Sequence, residues 1–292
     1  MSSFRRPFVA GQFYEGDVEA LKLQVESCFL NSVGLDEFSK VNFCADSMNR
    51  SVVGLICPHA GYMYSGSVAA LGFFELALDG LPKTVVLLGP NHSGVGSGLS
   101  LMREGVWQTP FGSVEVDTVL ADVILSKSDL IDVDVSAHLF EHSLEVQLPF
   151  LQYLYGGKKF KIVPICFLMQ DYFSAVEVGN VLVEALYGCV GDVVVVASSD
   201  MSHYEPVDVA ERKDFSVLDA VVSLDAHRFY RVVEANNVSV CGCGPIGALI
   251  TFVKGVGAMA KLLGYCSSGV ASGDYSSVVG YASVVFRRDF YA

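Results

Sequence analysis

Three of the six histidines in this 292-residue chain stand just beyond the ends of short apolar runs. His59 lies in Pro58-His59-Ala60-Gly61-Tyr62-Met63-Tyr64-Ser65-Gly66 after the run Ser51–Cys57, and His92 in Pro90-Asn91-His92-Ser93-Gly94 after Thr84–Gly89. His203 lies in Ser199-Asp200-Met201-Ser202-His203-Tyr204 after Asp192–Ser198. Imidazoles ligate metals and, with an ordinary pKa of about 6.5, carry protons at neutral pH. A single loop histidine is more simply a satisfied polar residue. Half of a chain's histidines at three separate run ends is a pattern that chance scattering seldom gives. Gly61, Gly66, Gly89 and Gly94 supply tight turns through which backbone approaches a ligand.

Two thiols join them as candidates. Val240-Cys241-Gly242-Cys243-Gly244-Pro245-Ile246-Gly247 sets both in a glycine-rich turn directly before an apolar helical pattern. Unpaired N–H groups at a helix start stabilise a thiolate, the form that ligates metal, so a lowered pKa is expected there. A packing cysteine instead replaces Ala or Val within a run, as Cys166 does in Val163-Pro164-Ile165-Cys166-Phe167. His142 and Glu145 lie three apart in a stretch entering a helix and so share a face. Glu145 reads equally as an acid that stabilises the first turn or, with His142, as a carboxylate–imidazole pair aimed at the pocket. His227 reads as an exposed helix residue without a role.

Four buried strands must position these groups: 51–57, 84–89, 161–167 and 192–198. Each is continuously apolar and β-branched, as a parallel sheet covered on both faces requires. Helical patterns lie between them at 67–76, 118–126, 144–155 and 172–187, followed by a long one over 207–235. Alternating strand and helix predicts a layered α/β/α fold with a mostly parallel central sheet. In such sheets ligands bind beyond the carboxyl ends of the strands, where His59, His92 and the Asp200–His203 segment fall. The Gly/Ser-rich tail 261–286 is expected to add antiparallel edge strands.

No linker, low-complexity run or repeat divides residues 1–292, so one domain is expected. A formal charge of -13 repels phosphate backbones and anionic membranes, which argues against nucleic-acid binding. No stretch reaches the roughly 18 apolar residues of a membrane span, and the opening Met1–Pro7 has no signal-peptide character. The eight cysteines include Cys28, Cys44, Cys57, Cys189 and Cys266; with no C-x-x-C pair, they read as reduced thiols in a cytoplasmic protein.

The motifs PHAGYMYSG, GPNHSG, TPFG (109–112), EHSLEVQLPFL, SSDMSHY and CGCGPIG, in this order, resemble the MEMO family. The resemblance runs from Arg6-Pro7 and Ala10–Tyr14 to Gly280-Tyr281-Ala282. It implies a fold shared with class III extradiol dioxygenases, enzymes that hold non-haem Fe(II) with two histidines and a glutamate. Carried over by residue, the metal ligands are His59, His92 and Cys241, the thiol standing where the dioxygenases have a carboxylate. Asp200 and His203 match the family's D-x-x-H motif beside the site, and His142 with Glu145 match its E-H-S-x-E motif, so these four are the candidate catalytic residues. Gln147 replaces a histidine of some relatives, and Cys243-Gly244 replace Arg-His. A thiolate ligand makes the site soft, favouring a divalent transition metal, Fe(II) first and Cu or Zn next, over Mg or Ca.

Three functions follow from these residues. The first is a metal-dependent, dioxygenase-like redox enzyme acting on a small molecule or peptide, with His203 or His142 moving protons. The second is a peptide- or phosphopeptide-binding adaptor walled by Tyr62, Tyr64 and Trp107, as the resemblance to eukaryotic relatives implies. The third is a hydrolase with Cys241 as nucleophile and His203 or His92 as base. Resemblance to microbial relatives further implies a pathway link to radical-SAM and AMMECR-type proteins.

Overall fold

The computed structural model describes residues 4–38 and 50–288, so Cys44 lies outside the described residues. The first elements are β1 (Phe4–Arg5), α1 (Val18–Phe38), β2 (Val52–Cys57), α2 (Tyr62–Asp79), β3 (Thr84–Pro90), β4 (Leu99–Leu101), β5 (Val106–Thr109) and β6 (Gly112–Val116). Then come α3 (Thr118–Leu125), β7 (Asp132–Val133), α4 (Leu148–Tyr155), β8 (Lys161–Phe167), α5 (Tyr172–Ala185), β9 (Val193–Ser198) and β10 (His203–Glu205). The last are α6 (Val207–Val222), α7 (Ala226–Ala235), α8 (Cys243–Gly255), β11 (Ala258–Ser267), α9 (Gly269–Ser272) and β12 (Val278–Arg288).

The four apolar runs become β8, β3, β9 and β2, adjacent in that order and mutually parallel. Successive side chains of a strand point to opposite faces, and the two sets are both apolar here. Val86, Leu88, Val163, Ile165, Val195 and Ala197 enter one core, with Val178 of α5 and Leu249 of α8. Val85, Leu87, Ile162, Val194 and Val196 enter the other, with Phe73 of α2 and Leu151 of α4. Helices therefore cover both faces, which is why the runs do not alternate with polar residues. Antiparallel pairs flank this parallel centre: β5–β6 and β4–β8 towards one side, β12 with β2, β10 and β11 on the other. No described helix is long and apolar enough to cross a membrane.

Three elements differ from the sequence reading. The stretch 144–155 forms a 3-10 turn at Glu145–Gln147 and becomes α-helical only at Leu148, because Pro149, which lacks an N–H, is accommodated in a first turn. The long pattern over 207–235 breaks at Leu224, whose φ is 54°, and restarts where Asp225 caps α7 by accepting the Arg228 N–H. The tail supplies an edge strand in β11, while β12 lies inside the sheet between β11 and β2.

A buried ion pair anchors the amino-terminal segment. Arg5 Nη1 lies 2.7 Å from Glu145 Oε2, and both side chains are wholly buried. The guanidinium stacks 4.2 Å over Trp107 and donates to the carbonyls of His138 and Glu141. The Glu145 carboxylate also accepts the N–H groups of Phe8 and Val9 and the Tyr14 hydroxyl. It is thus occupied by the amino-terminal segment rather than turned into a pocket, and Trp107 is core.

Beneath this anchor His138 is fully buried, Nδ1 3.3 Å from Cys166 Sγ. Burial, then the nearby Arg5 charge, holds its pKa down at about 3 against an ordinary 6.5. The unfolded chain therefore binds a proton below pH 6.5 that the folded state refuses, and stability falls with pH through that window. From pH 6.5 to 5 this histidine should cost about 2 kcal/mol. Urea unfolding at pH 7 and 5 should show the loss, and H138Q should show less of it; equal losses in both proteins would refute the assignment.

Candidate metal centre

Because β2, β3 and β9 are parallel neighbours, the residues that follow them emerge on one edge of the sheet. His59 follows β2, His92 follows β3, and Ser199-Asp200 follow β9. The loop before α4 brings Glu141 and His142 to the same edge, and the turn before α8 brings Cys241. Gly242 makes that last approach possible, since a Cβ there would lie 2.5 Å from Ser199 Cβ and 2.8 Å from the Ser198 carbonyl.

Three imidazoles converge. One ligand atom each from His59, His92 and His142 lies within 4.8 Å of the others, so the three could hold a metal ion. The His92 and His142 rings stack with centroids 4.6 Å apart, and His59 stands edge-on to both at 5.2 and 5.4 Å. His59 is buried, whereas the His92 side chain is 36% and the His142 side chain 21% exposed, so the cluster opens to solvent on their side.

The hydrogen bonds decide which nitrogen each ring presents. Ser198 Oγ donates to the Ser143 carbonyl and accepts from Gln147 Nε2, which also donates to the Pro58 carbonyl. With its one proton used, Ser198 Oγ can only accept from His59 Nδ1, at 2.9 Å. His59 Nε2 therefore carries the lone pair. Glu141 is buried and accepts from His92 Nδ1 at 2.9 Å, while the same oxygen lies 3.4 Å from His142 Nδ1. Nε2 of His92 is left free too. Carboxylate or hydroxyl behind imidazole is the second layer that metal-binding histidines use.

Electrostatics keeps His59 and His142 unprotonated. Burial, followed by repulsion from His142 and His92, pushes His59 well below its ordinary pKa. Burial likewise lowers His142, to about 4. Burial alone would raise Glu141, but the His92 hydrogen bond and charge hold it down at about 2, an ionised acceptor. Asp200, which accepts the His59 N–H at 2.8 Å, is raised by burial to about 6.

Cys241 Sγ lies 3.3 Å from His59 Nε2 and accepts the Asp200 N–H at 3.2 Å. An imidazole nitrogen and a sulfur on one transition-metal ion sit roughly 3–4 Å apart, which this spacing matches. The expected low thiol pKa is reversed: burial, then the Asp200 charge, raises Cys241 well above its ordinary value, and burial raises Cys243 to about 12. Desolvation outweighs the helix terminus, so a thiolate at Cys241 needs a cation beside it.

The structure thus brings together His59, His92, His142, Cys241 and Asp200. His203 sits at the rim, its Nδ1 bonded to the Ser239 carbonyl at 2.8 Å, close enough for its charge to act on His59 and Asp200. Of the proposed aromatic walls, Trp107 and Tyr62 are buried and Tyr64 alone is exposed. Sequence reasoning gave no role to Glu141, although it opens the motif containing His142, nor to Ser198, the apolar run's last residue.

A family model described as "Memo-like protein" matches residues 5–285. The chain belongs to the Memo-like family. A MEMO1 family protein of Methanopyrus kandleri is 47% identical over 285 residues, spanning 97% of this chain and 99% of that one. One from Methanothermobacter thermautotrophicus is 46% identical across 95% of this chain and 98% of its own. A third, from Sulfolobus acidocaldarius, is 46% identical across 97% and 99%. Outside this range of identity, the crystal structure of an uncharacterized protein from Escherichia coli K12 aligns with a TM-score of 0.56 at 14% identity, covering 80% of this chain and 99% of that one. That likeness concerns the fold. The Memo-like chain and this distant protein share a mixed α/β architecture around a large central sheet.

Proposed function

We propose that this Memo-like protein is a redox enzyme built on one non-haem Fe(II), held by His59 and His92 with Cys241 and His142 completing the set. The observation that carries the reading is that one nitrogen each of His59, His92 and His142 lies within 4.8 Å of the others, with the Cys241 sulfur 3.3 Å from His59 Nε2. Three imidazoles and one sulfur suit iron, copper or zinc rather than magnesium or calcium. Bound iron would supply Lewis acidity and electron transfer to a substrate or dioxygen held beside it.

The chain's own groups supply the rest. Glu141 fixes the His92 ring and lies 3.4 Å from His142 Nδ1, and Ser198 with Gln147 fixes His59. Asp200 ties the Cys241 sulfur to the His59 backbone, donating through its N–H to one and accepting through Oδ1 from the other. His203, with Nδ1–H engaged by Ser239, keeps Nε2 to accept or return a proton at the rim.

Anaerobic titration with Fe(II) should give one ion per chain, and admitting oxygen should give uptake that depends on a co-substrate. Oxygen uptake no faster than that of free iron, across small thiols and catechols, would sink the redox reading.

The 3.3 Å contact also favours a second reading, in which Cys241 is a nucleophile and His59 its base. Alkylation with iodoacetamide separates the two: bound metal should protect a ligand sulfur by at least about tenfold in rate, whereas a nucleophile outside the metal set should label equally with and without it.

A further inference from the structure

Three of the parallel strands run into the metal centre, β2 into His59, β3 into His92 and β9 into Asp200. The fourth, β8, ends at the same edge, and the residues after it, Leu168-Met169-Gln170, reach the turn that carries Cys241. There the Gln170 side-chain amide makes two hydrogen bonds. Its Nε2 donates to the Cys241 carbonyl and its Oε1 accepts the Gly244 N–H, each at 2.9 Å. A carbonyl can only accept and an N–H can only donate, so the two partners fix which way round the amide lies.

The need for such a clamp follows from the turn itself. Gly242 lets the turn approach Ser198 and Ser199, and it is also the capping position of α8. A helix start leaves its first N–H groups without partners inside the helix, and Ser, Thr, Asp or Asn at the cap ordinarily accepts one of them. Glycine has no side chain to do so. Gln170, 74 residues from Gly244 in the chain, supplies the acceptor instead, and with the same amide it ties down the carbonyl of the residue that bears the sulfur. Tyr230 braces the contact from behind, its hydroxyl 2.9 Å from the Gln170 carbonyl and 3.1 Å from that of Cys243. The fit is close: a Cβ on Gly244 would lie 2.7 Å from Phe167 Cδ1 and 3.3 Å from both Cα and Cγ of Gln170.

We infer that Gln170 is a positioning residue for the Cys241 thiol, holding the sulfur beside His59 Nε2 and the Asp200 N–H. Its effect on metal binding rests on the ligand set proposed above, whereas its effect on where the sulfur lies does not. With the Cys241 carbonyl and the Gly244 N–H both held, the turn cannot swing, and the sulfur stays 3.3 Å from His59 Nε2 and 3.2 Å from the Asp200 nitrogen. The contact requires a donor and an acceptor on one planar group: glutamate would set an acceptor against the Cys241 carbonyl, and leucine would offer neither.

Q170L keeps the approximate shape and removes both bonds. In metal-free protein, iodoacetamide labelling of Cys241, followed by mass spectrometry of its peptide, should run several-fold faster in Q170L than in the parent, with Cys189 labelling unchanged. In Co(II)-loaded protein the near-ultraviolet sulfur-to-metal band, defined by its absence from C241S, should lose most of its intensity in Q170L, and Co(II) affinity should fall by about tenfold or more. G244A, which pushes Gln170 aside without altering it, should show the same pattern. Cys241 labelling rates equal in the parent and both variants, or an undiminished band and affinity with only a lowered unfolding midpoint, would overturn the proposal. A parent that takes up no Co(II), or takes it up without the band, would instead sink the ligand set, and the labelling rates would still decide what holds the sulfur.

Discussion

Glu145→Gln should lower stability by about 3–5 kcal/mol, the cost of leaving a buried charge without its partner. The Arg5 guanidinium is fully enclosed, and its remaining bonds go to backbone carbonyls and the face of Trp107, none of which supplies a compensating negative charge. The amide keeps the size of the side chain and one acceptor oxygen, so the loss reports on charge rather than on a void. Replacing both partners with R5M and E145L should restore much of the loss, because well-packed apolar groups avoid the desolvation cost. Urea unfolding of the parent, R5M, E145L and the double variant at pH 7 gives the coupling directly; an unchanged midpoint for E145Q would remove the anchor from the account.

Glu141→Gln should weaken metal binding by about 10–100-fold, the usual consequence of losing the carboxylate behind a ligand imidazole. Glu141 is ionised in the folded protein and one of its oxygens faces the Nδ1 atoms of both His92 and His142. A neutral amide pulls less electron density into the rings and can present an N–H where a lone pair is needed, turning one ring from its place. Competition against a chelator of known affinity measures the effect on the folded protein. A merely structural role would lower the unfolding midpoint and leave that affinity unchanged.

The parallel centre of the fold was legible because burial on both faces forces unbroken apolar runs, and β2, β3, β8 and β9 start and end within a residue of those runs. His59, His92 and Asp200 were legible for a related reason, since strand exits locate the functional edge of such a sheet. Glu145 misled because helical spacing was assumed through 142–145, where the backbone is a loop entering a 3-10 turn. With the period lost, the acid that reaches the imidazoles is the one preceding His142 rather than the one three residues after it. The Cys241 thiol misled in another way: position at a helix start is visible in sequence, but enclosure beside Asp200 is not, and enclosure dominates its acidity.

His59 and Cys241 touch across 182 residues of chain, and β2, which carries His59 into place, is closed on one side by β12, from the final stretch of the described sequence. A growing polypeptide that has passed His59, His92 and His142 still lacks both the sulfur and the strand that completes the sheet. Contacts this distant form slowly, because a long loop must close before any of them is rewarded. A metal site that used the Cys241 sulfur would therefore be complete only in a chain folded through β12, and would take up its ion from that folded state.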